Sequence, residues 1–173
     1  RKDEASKVVD MLESGEIPVR VTHNDTKLNN VMLDDVTGEG VCVIDLDTTM
    51  PGSAIYDFGD MVRTATSPAP EDEVDTSKIC MQMFMFEALL KGYLSSAKEF
   101  LTEKEIGLLA FSGKLLTMEC GTRFLTDYLK GDVYFKVHRD GHNLDRTRSQ
   151  IALAESIEAQ MPAMEALVEK YSK

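Results

Sequence analysis

The sequence predicts a mostly helical α+β domain, and three observations predict it. Apolar residues recur at helical spacing through most of residues 53–171, whereas residues 18–50 hold short apolar runs separated by turn residues. The chain has 173 residues, of which 43% are apolar and 28% are charged. These values are typical of a folded domain that buries a core without disulfides or metal ions. We therefore expect residues 1–173 to form a single domain.

The predicted elements of the first half surround a hairpin. In order, we expect a helix at residues 4–12, an extended stretch at 19–21, and strands at 31–33 and 41–44. Gly15 and Pro18 end the helix, because neither residue continues a helix well. Turn residues at 37–40 separate the two strands and favour an antiparallel hairpin.

The second half is predicted to be helical. We expect helices at residues 55–63, 81–94, 102–129 and 144–160, with loops at 67–73 and 131–142. Thr102 is a candidate helix cap, because Glu105 three residues later completes a capping box. Gly113 or Gly121 is a candidate break within the third of these helices. Pro162 is expected to kink or restart the last helix.

Charge and cysteine content restrict the partners and the compartment. The chain has 19 Lys and Arg residues against 30 Asp and Glu residues, a formal net charge of −11. Nucleic acids and anionic membranes are bound by clustered cations, so neither is an expected partner. The N-terminus has no apolar stretch typical of a signal peptide, and no apolar run is long enough for a membrane helix. The 3 cysteines are widely spaced. These features favour a cytoplasmic protein with reduced thiols.

Two polar clusters are the candidates for a site. Residues 23–30 read His-Asn-Asp-Thr-Lys-Leu-Asn-Asn and lie between two apolar runs. The second cluster, Asp45 to Thr49, follows the apolar strand at 41–44. An acid that closes a buried strand needs a partner, because an isolated buried carboxylate is unfavourable.

Hairpin pairing brings the two clusters together. If Val31 pairs with Ile44, then Asn30 lies opposite Asp45, with Cβ atoms about 4.5 to 5.5 Å apart. An amide oxygen and a carboxylate at that spacing can share one Mg²⁺ ion, which prefers oxygen ligands.

Asp25 and Lys27 complete a set of groups for phosphoryl transfer. Asp25 lies five residues before Asn30, on a loop that can curl over the same ion, and it suits accepting a proton from an attacking hydroxyl. Lys27 can neutralise a transferring phosphoryl group. A base, two metal ligands and a cation are the groups that phosphoryl transfer requires.

The pattern His-x-Asp-x-x-x-x-Asn, followed by an apolar strand and Ile-Asp, resembles the catalytic and metal loops of the aminoglycoside phosphotransferase/choline kinase-like family. That family shares the protein-kinase-like fold. The resemblance implies that Asp25 is the catalytic base, that Asn30 and Asp45 hold Mg²⁺, and that ATP is the co-substrate. Lys27 falls where many protein kinases place a catalytic-loop lysine. The hairpin and both loops would then belong to the C-terminal lobe of the kinase-like fold.

Residues 52–60 are similar to the family's Gly-x-x-x-x-Asp element. The resemblance implies that Asp57 opens a helix and braces the catalytic loop, and that His23 supports the same loop. Residues 57–59 also spell Asp-Phe-Gly, the metal motif of protein kinases. Assigning the metal to Asp57 would leave Asp45 unexplained, so we interpret Asp57 as a brace.

The resemblance extends to one branch, the N-acetylhexosamine 1-kinases and related sugar kinases, through residues 123–129 and 131–135. It implies a small-molecule acceptor, most simply a sugar hydroxyl, although choline, homoserine and aminoglycosides stay open. The implied substrate-binding residues are Asp47, Arg123, Asp127, Tyr128 and Tyr134. Helical spacing alone would instead place Tyr128 in a core stripe, and Asp47 could equally be a solvated acid.

Such kinases also have an N-terminal lobe that covers ATP. Only 24 residues precede Asp25, and no glycine-rich loop is present among them. We therefore expect the chain to be a C-terminal lobe that lacks the N-terminal nucleotide lobe. Because ATP normally lies between the lobes, the chain alone should bind nucleotide weakly and transfer phosphate negligibly.

Two other functions compete with a kinase. Residues 45–49 also fit the Asp-x-Asp-x-Thr motif of haloacid-dehalogenase-like phosphatases, in which Asp45 would be phosphorylated and Asp47 would be the acid/base. That fold needs further parallel strands. The other alternative is a non-catalytic pseudokinase or interaction module.

Overall fold

The computed structural model describes residues 1–173 and contains six helices and two small antiparallel sheets. The helices are α1 (Lys7–Glu13), α2 (Ala54–Ala65), α3 (Met83–Ala97), α4 (Glu103–Gly107), α5 (Leu109–Leu129) and α6 (His142–Ser172). The strands are β1 (Arg20–Thr22), β2 (Val31–Leu33), β3 (Gly40–Val43) and β4 (Met50–Gly52). The predicted mostly helical α+β class is confirmed. None of the helices is both long and apolar enough to cross a membrane.

The main core lies among the long helices. α5 packs against α2 and α6, and α3 packs against α6. The fully buried side chains of Phe58, Leu90, Leu109 and Ile157 belong to this core. Because Phe58 lies on α2, burial of that helix fixes the polar residues on its other faces.

Two glycines allow α2 and α5 to approach closely. A Cβ atom at Gly59 would lie 2.5 Å from the carbonyl oxygen of Ser112, and one at Gly113 would lie 2.6 Å from Val62 Cγ1. Gly113 is therefore a packing residue in the middle of α5. The prediction that the helix breaks near Gly113 or Gly121 is wrong.

The helical region departs from prediction at two further points. The predicted helix at 102–129 divides after Gly107 into α4 and α5, while the capping box of Thr102 and Glu105 is confirmed. α6 continues through Pro162 without interruption. Ile157 and Met164 on either side of this proline are fully buried, so packing holds both halves of the helix in place.

The hairpin forms, but its register differs from the predicted one. Val31 pairs with Val43, and a bulge follows between Met32 and Leu33. Asn30 consequently lies opposite Ile44, whose backbone N–H donates to the Asn30 carbonyl oxygen at 2.9 Å. The predicted pairing of Asn30 with Asp45 is therefore wrong by one residue. Asp45 follows directly, with a left-handed backbone at φ 66°.

Both sheets of the structure are antiparallel. β1 pairs antiparallel with β4, a strand that the sequence did not predict, and β2 pairs antiparallel with β3. No strand follows Gly52. A haloacid-dehalogenase-like phosphatase needs parallel strands beyond this point, and residues 53–173 supply none, so the sheets give that interpretation of residues 45–49 no support.

Candidate active site

Asp57 holds the loop that precedes Asp25. Its two carboxylate oxygens accept hydrogen bonds from the backbone N–H groups of Asn24, at 2.8 Å, and His23, at 2.9 Å. The Thr26 hydroxyl donates to the Asp57 carbonyl oxygen at 2.5 Å. Asp57 lies in the first turn of α2, where the helix dipole favours a negative charge. The loop is thus attached to a helix that is itself fixed by core packing.

His23 links the loop to the end of β3. Its Nδ1 accepts the backbone N–H of Asp25 at 3.3 Å, so the ring proton lies on Nε2, 3.0 Å from the Ile44 carbonyl oxygen. The Thr48 hydroxyl donates to the His23 carbonyl oxygen at 2.6 Å. Both ring nitrogens are engaged, so His23 supports the loop and takes no direct part in the chemistry that we propose below.

The Asp25 carboxylate is held at one oxygen only. Its Oδ2 accepts hydrogen bonds from Lys27 Nζ, at 2.6 Å, and from Asn30 Nδ2, at 2.9 Å. Oδ1 accepts no hydrogen bond from the protein. Burial alone would raise the pKa of Asp25, but the hydrogen bonds from Lys27 and Asn30 outweigh it and lower the pKa. Asp25 is therefore ionised at neutral pH, with one oxygen available.

Lys27 lies between the two polar clusters. Its ammonium nitrogen is 2.6 Å from Asp25 Oδ2 and 3.9 Å from Asp45 Oδ2. The hydrogen bond to Asp25 raises the pKa of Lys27 against the opposing effect of burial, and the charges of Asp45 and Asp60 raise it further. The ammonium group of Lys27 thus lies between the carboxylates of Asp25 and Asp45.

Asn30 and Asp45 keep oxygen atoms available for a ligand. The side chain of Asn30 is buried, and its Nδ2 donates to the Asp25 carbonyl oxygen at 2.8 Å. That contact fixes the orientation of the amide, because only the nitrogen can donate, and the Oδ1 atom accepts no protein hydrogen bond. The Asp45 carboxylate is also free of hydrogen bonds and is half exposed.

These two side chains fit a magnesium ion that keeps most of its ligands from water and phosphate. They do not form a site in which the protein alone encloses a metal. No group of three or more His, Cys, Asp or Glu side chains in the structure could hold a metal ion. Mg²⁺ typically takes one or two protein oxygens and completes its shell with waters and substrate phosphates. Asn30 and Asp45 would supply that number of ligands.

A cavity of about 840 Å³ opens beside Asp25. Its walls come from residues 1–9, α2, α5 and the loop that holds Asn24 and Asp25. A cavity of this size accommodates a small molecule.

Residues 4–79 match the model of the phosphotransferase enzyme family. The matched range contains the whole loop from His23 to Asn30, together with Asp45 and Asp57. It supports the relation to the aminoglycoside phosphotransferase/kinase-like family and indicates a phosphotransferase in general. The small antiparallel sheets and the helical remainder are consistent with a kinase-like C-terminal lobe.

Of the five predicted substrate-binding residues, only Arg123 lines the cavity beside Asp25. Asp47 lies in the exposed turn after Asp45. Tyr128 is only partly exposed on α5, and Tyr134 is exposed with its ring against Phe135. The structure does not bring these last three side chains to the cavity.

The side chain of Asp127 is buried against the loop after α5 and does not line the cavity. Its carboxylate accepts the backbone N–H groups of residues 133, 134 and 135 at 2.8 to 3.0 Å, and the Asn143 amide at 2.9 Å. Burial raises the pKa of Asp127, but these donors outweigh it and lower the pKa. The predicted substrate contact is therefore replaced by a role in shaping the loop after α5.

Three polar residues of the cavity were missed. Tyr56, Asp60 and Arg63 line the wall formed by α2. They are spaced four and three residues apart, which places them on one helical face. The spacing is readable in the sequence, but it does not show that this face of the helix lines a cavity, which depends on how α2 packs against α5.

Proposed function

We propose that this chain is the catalytic-loop lobe of a Mg²⁺- and ATP-dependent small-molecule kinase that phosphorylates a hydroxyl group. The proposed acceptor is a sugar of the N-acetylhexosamine type. One observation carries the proposal: an ionised aspartate, fixed by a lysine and an asparagine, lies at the wall of a cavity large enough for such an acceptor. The phosphotransferase family match is the independent support.

The proposed reaction uses each of these groups once. The acceptor hydroxyl oxygen forms a bond to the γ-phosphorus of ATP while the bond from phosphorus to ADP breaks. Asp25 Oδ1 takes the hydroxyl proton, and Lys27 balances negative charge on the transferring group. Asn30 and Asp45 would hold Mg²⁺, which supplies charge neutralisation for the phosphates when bound.

A further lobe that covers the nucleotide is part of the proposal. Large apolar side chains on the two sheets are exposed, although such residues usually pack against something. Val21 is 78% exposed, Val41 is 66% exposed, and Met32 and Val43 are each at least half exposed. We propose that this surface faces the nucleotide and its covering lobe, so that the chain alone transfers phosphate negligibly.

Magnesium binding provides a prediction for the chain itself. Mg²⁺ at about 100 times its dissociation constant should raise the free energy of unfolding by about 2.7 kcal/mol. Asp45→Ala should abolish this increase, whereas Asp35→Ala, which removes an exposed loop acid, should retain it. Thermal melting with and without Mg²⁺ measures both. An unresponsive wild-type chain would favour a non-catalytic module.

Lys27 provides a second prediction, about the charge state of the base. Lys27→Met removes the hydrogen bond and charge that lower the pKa of Asp25, so burial should then raise that pKa. An NMR titration of the Asp25 side-chain carboxyl carbon measures the shift. Lys78→Met, which changes an exposed lysine elsewhere, should leave the titration unchanged. An unchanged Asp25 pKa in the Lys27 variant would contradict this account.

The function itself is tested by an ATP-dependent phosphorylation screen. The screen uses the longest natural form of the protein with hexosamines, neutral sugars, choline, homoserine and aminoglycosides as acceptors. Phosphorylation of N-acetylhexosamines is the expected result. Transfer to another class would replace the acceptor, and no transfer to any class would contradict the proposed kinase.

A further inference from the structure

An ion pair on α2 lines the cavity and has hydrogen-bonding capacity that the protein does not use. Arg63 Nε donates to Asp60 Oδ1 at 2.8 Å, and Arg63 Nη1 donates to Glu71 Oε1 at 2.6 Å. Asp60 is 9% exposed, and its buried Oδ2 atom has no hydrogen-bond partner. Arg63 Nη2 donates to no protein atom. One oxygen of Asp60 and one nitrogen of Arg63, two paired residues that both line the cavity, therefore have no hydrogen-bond partner in the protein.

The orphaned oxygen of Asp60 is unusual for a folded protein. Buried carboxylate oxygens almost always receive a hydrogen bond. An oxygen atom that is removed from water and finds no donor in the protein destabilises the native state. Here the carboxylate can accept several hydrogen bonds and receives only one, from Arg63. Rotation about the last side-chain torsion of aspartate is soft, so a partial turn can move Oδ2 toward the cavity that Asp60 lines while Oδ1 stays within reach of Arg63. The remaining oxygen is then available to a ligand.

We infer that Asp60 and Arg63 bind a hydroxyl group of the acceptor, distinct from the hydroxyl that Asp25 deprotonates. The inference rests on the proposed function and adds a residue pair that selects the acceptor. A hydroxyl group both donates and accepts, whereas a carboxylate only accepts and a guanidinium only donates. The pair is therefore complementary to one hydroxyl, which donates to Asp60 and accepts from Arg63.

The charge of this pair selects against ionic groups. An ammonium group would be attracted to Asp60 and repelled by Arg63, and a carboxylate or phosphate group would meet the opposite combination. Glu71 and Asp60 together fix Arg63. The loop that carries Glu71 is held at the next residue, where Asp72 contacts the His142 ring at 2.9 Å. The pair is thus held in place for a neutral polyol, with a second hydroxyl at Asp25 in the same cavity.

The test compares sugar binding by the chain and its variants, without ATP. N-acetylglucosamine and its monodeoxy analogues are titrated by NMR against wild type, Asp60→Asn and Asp10→Asn. Asp60→Asn replaces an acceptor oxygen by a donor nitrogen and should weaken binding of N-acetylglucosamine by roughly tenfold. Asp10→Asn makes the same chemical change at an exposed site outside the cavity and should bind as wild type.

The deoxy analogues identify the hydroxyl. One deoxy analogue should bind the wild type about tenfold more weakly than N-acetylglucosamine does. Asp60→Asn should not weaken binding of that analogue further, because the hydroxyl and Asp60 are the two partners of one interaction. Equal losses for every analogue, or none for Asp60→Asn, would overturn the inference. If Asp60→Asn does not fold, the Arg63 Nε–H resonance of the wild type decides: it should shift with N-acetylglucosamine and not with that analogue.

Failure of this inference is separable from failure of the proposed kinase. If neither N-acetylglucosamine nor N-acetylgalactosamine binds the wild type, the hydroxyl pair is wrong. The Mg²⁺ response and the phosphorylation screen would still decide whether the protein is a kinase for another acceptor.

Discussion

Asp25→Asn is expected to reduce turnover about 10²- to 10⁴-fold in a form of the protein that carries the nucleotide lobe. Asparagine is nearly isosteric with aspartate and can still accept hydrogen bonds from Lys27 and Asn30, but it cannot take a proton from the acceptor. The loss should therefore appear in turnover rather than in acceptor affinity. Steady-state kinetics with the acceptor identified by the phosphorylation screen measures it.

An unchanged melting temperature should show that Asp25→Asn loses activity without losing the fold. The backbone N–H groups of His23 and Asn24 are held by Asp57 and not by Asp25, so the loop should persist in the variant. Asp10→Asn should show wild-type turnover. Turnover of the Asp25 variant within tenfold of wild type would remove Asp25 from the role of base.

Glu105→Ala is expected to lower the free energy of unfolding by about 3 kcal/mol. Glu105 is 0% exposed, and it accepts two hydrogen bonds from Arg20, at 2.7 and 2.8 Å, and two from the capping residue Thr102. The variant leaves Arg20 without a carboxylate partner and removes the capping box of α4. Because Arg20 begins β1, which leads into the His23 loop, the candidate site should lose order as well.

Urea unfolding measures this effect, with Glu103→Ala as the matched control. Glu103 is exposed in the first turn of the same helix, so its removal should change stability by less than about 0.5 kcal/mol. Burial raises the pKa of Glu105, but the hydrogen bonds from Arg20 and Thr102 outweigh it and lower the pKa.

The stability difference between wild type and Glu105→Ala should depend on pH in a known direction. A carboxylate with a lowered pKa stabilises the folded protein above its unfolded pKa of about 4.3, and this contribution disappears as pH falls. The stability difference between wild type and Glu105→Ala should thus be full at neutral pH and shrink in acid. Equal stability at neutral pH would contradict the assigned role.

The residues of the site were predictable where the chemistry is local in sequence. The loop from His23 to Asn30 concentrates a base candidate, a cation and an amide within eight residues, and a short hairpin connects it to Asp45. The predicted register was wrong because the turn closes earlier than expected, with the Asp34 backbone N–H donating to the Glu39 carbonyl oxygen at 2.8 Å. A bulge after Met32, which alternating hydrophobicity does not reveal, then shifts the pairing by one residue. The short hairpin nevertheless keeps residues 30 and 45 close under either register.

Features that depend on distant contacts were not predictable in the same way. The cavity wall at residues 1–9 meets α2 and α5 only after folding. The resemblance implied Asp127 as a substrate contact, but its four hydrogen-bond donors lie 6 to 16 residues further along the chain, and only the folded loop and α6 bring them near. Pro162 was expected to interrupt α6, but burial of the helix on both sides overrides the local preference.

The most direct test of the account is to locate a divalent cation on the chain with Mn²⁺, a paramagnetic substitute for Mg²⁺. NMR signals near bound Mn²⁺ broaden at low metal concentration. We expect selective broadening of the Asn30 side-chain amide and of the backbone amides of Asp25 and Asp45, and competition by Mg²⁺ should reverse it. Broadening confined to other acidic segments, such as residues 71–75, or none at all, would contradict a shared metal and base site.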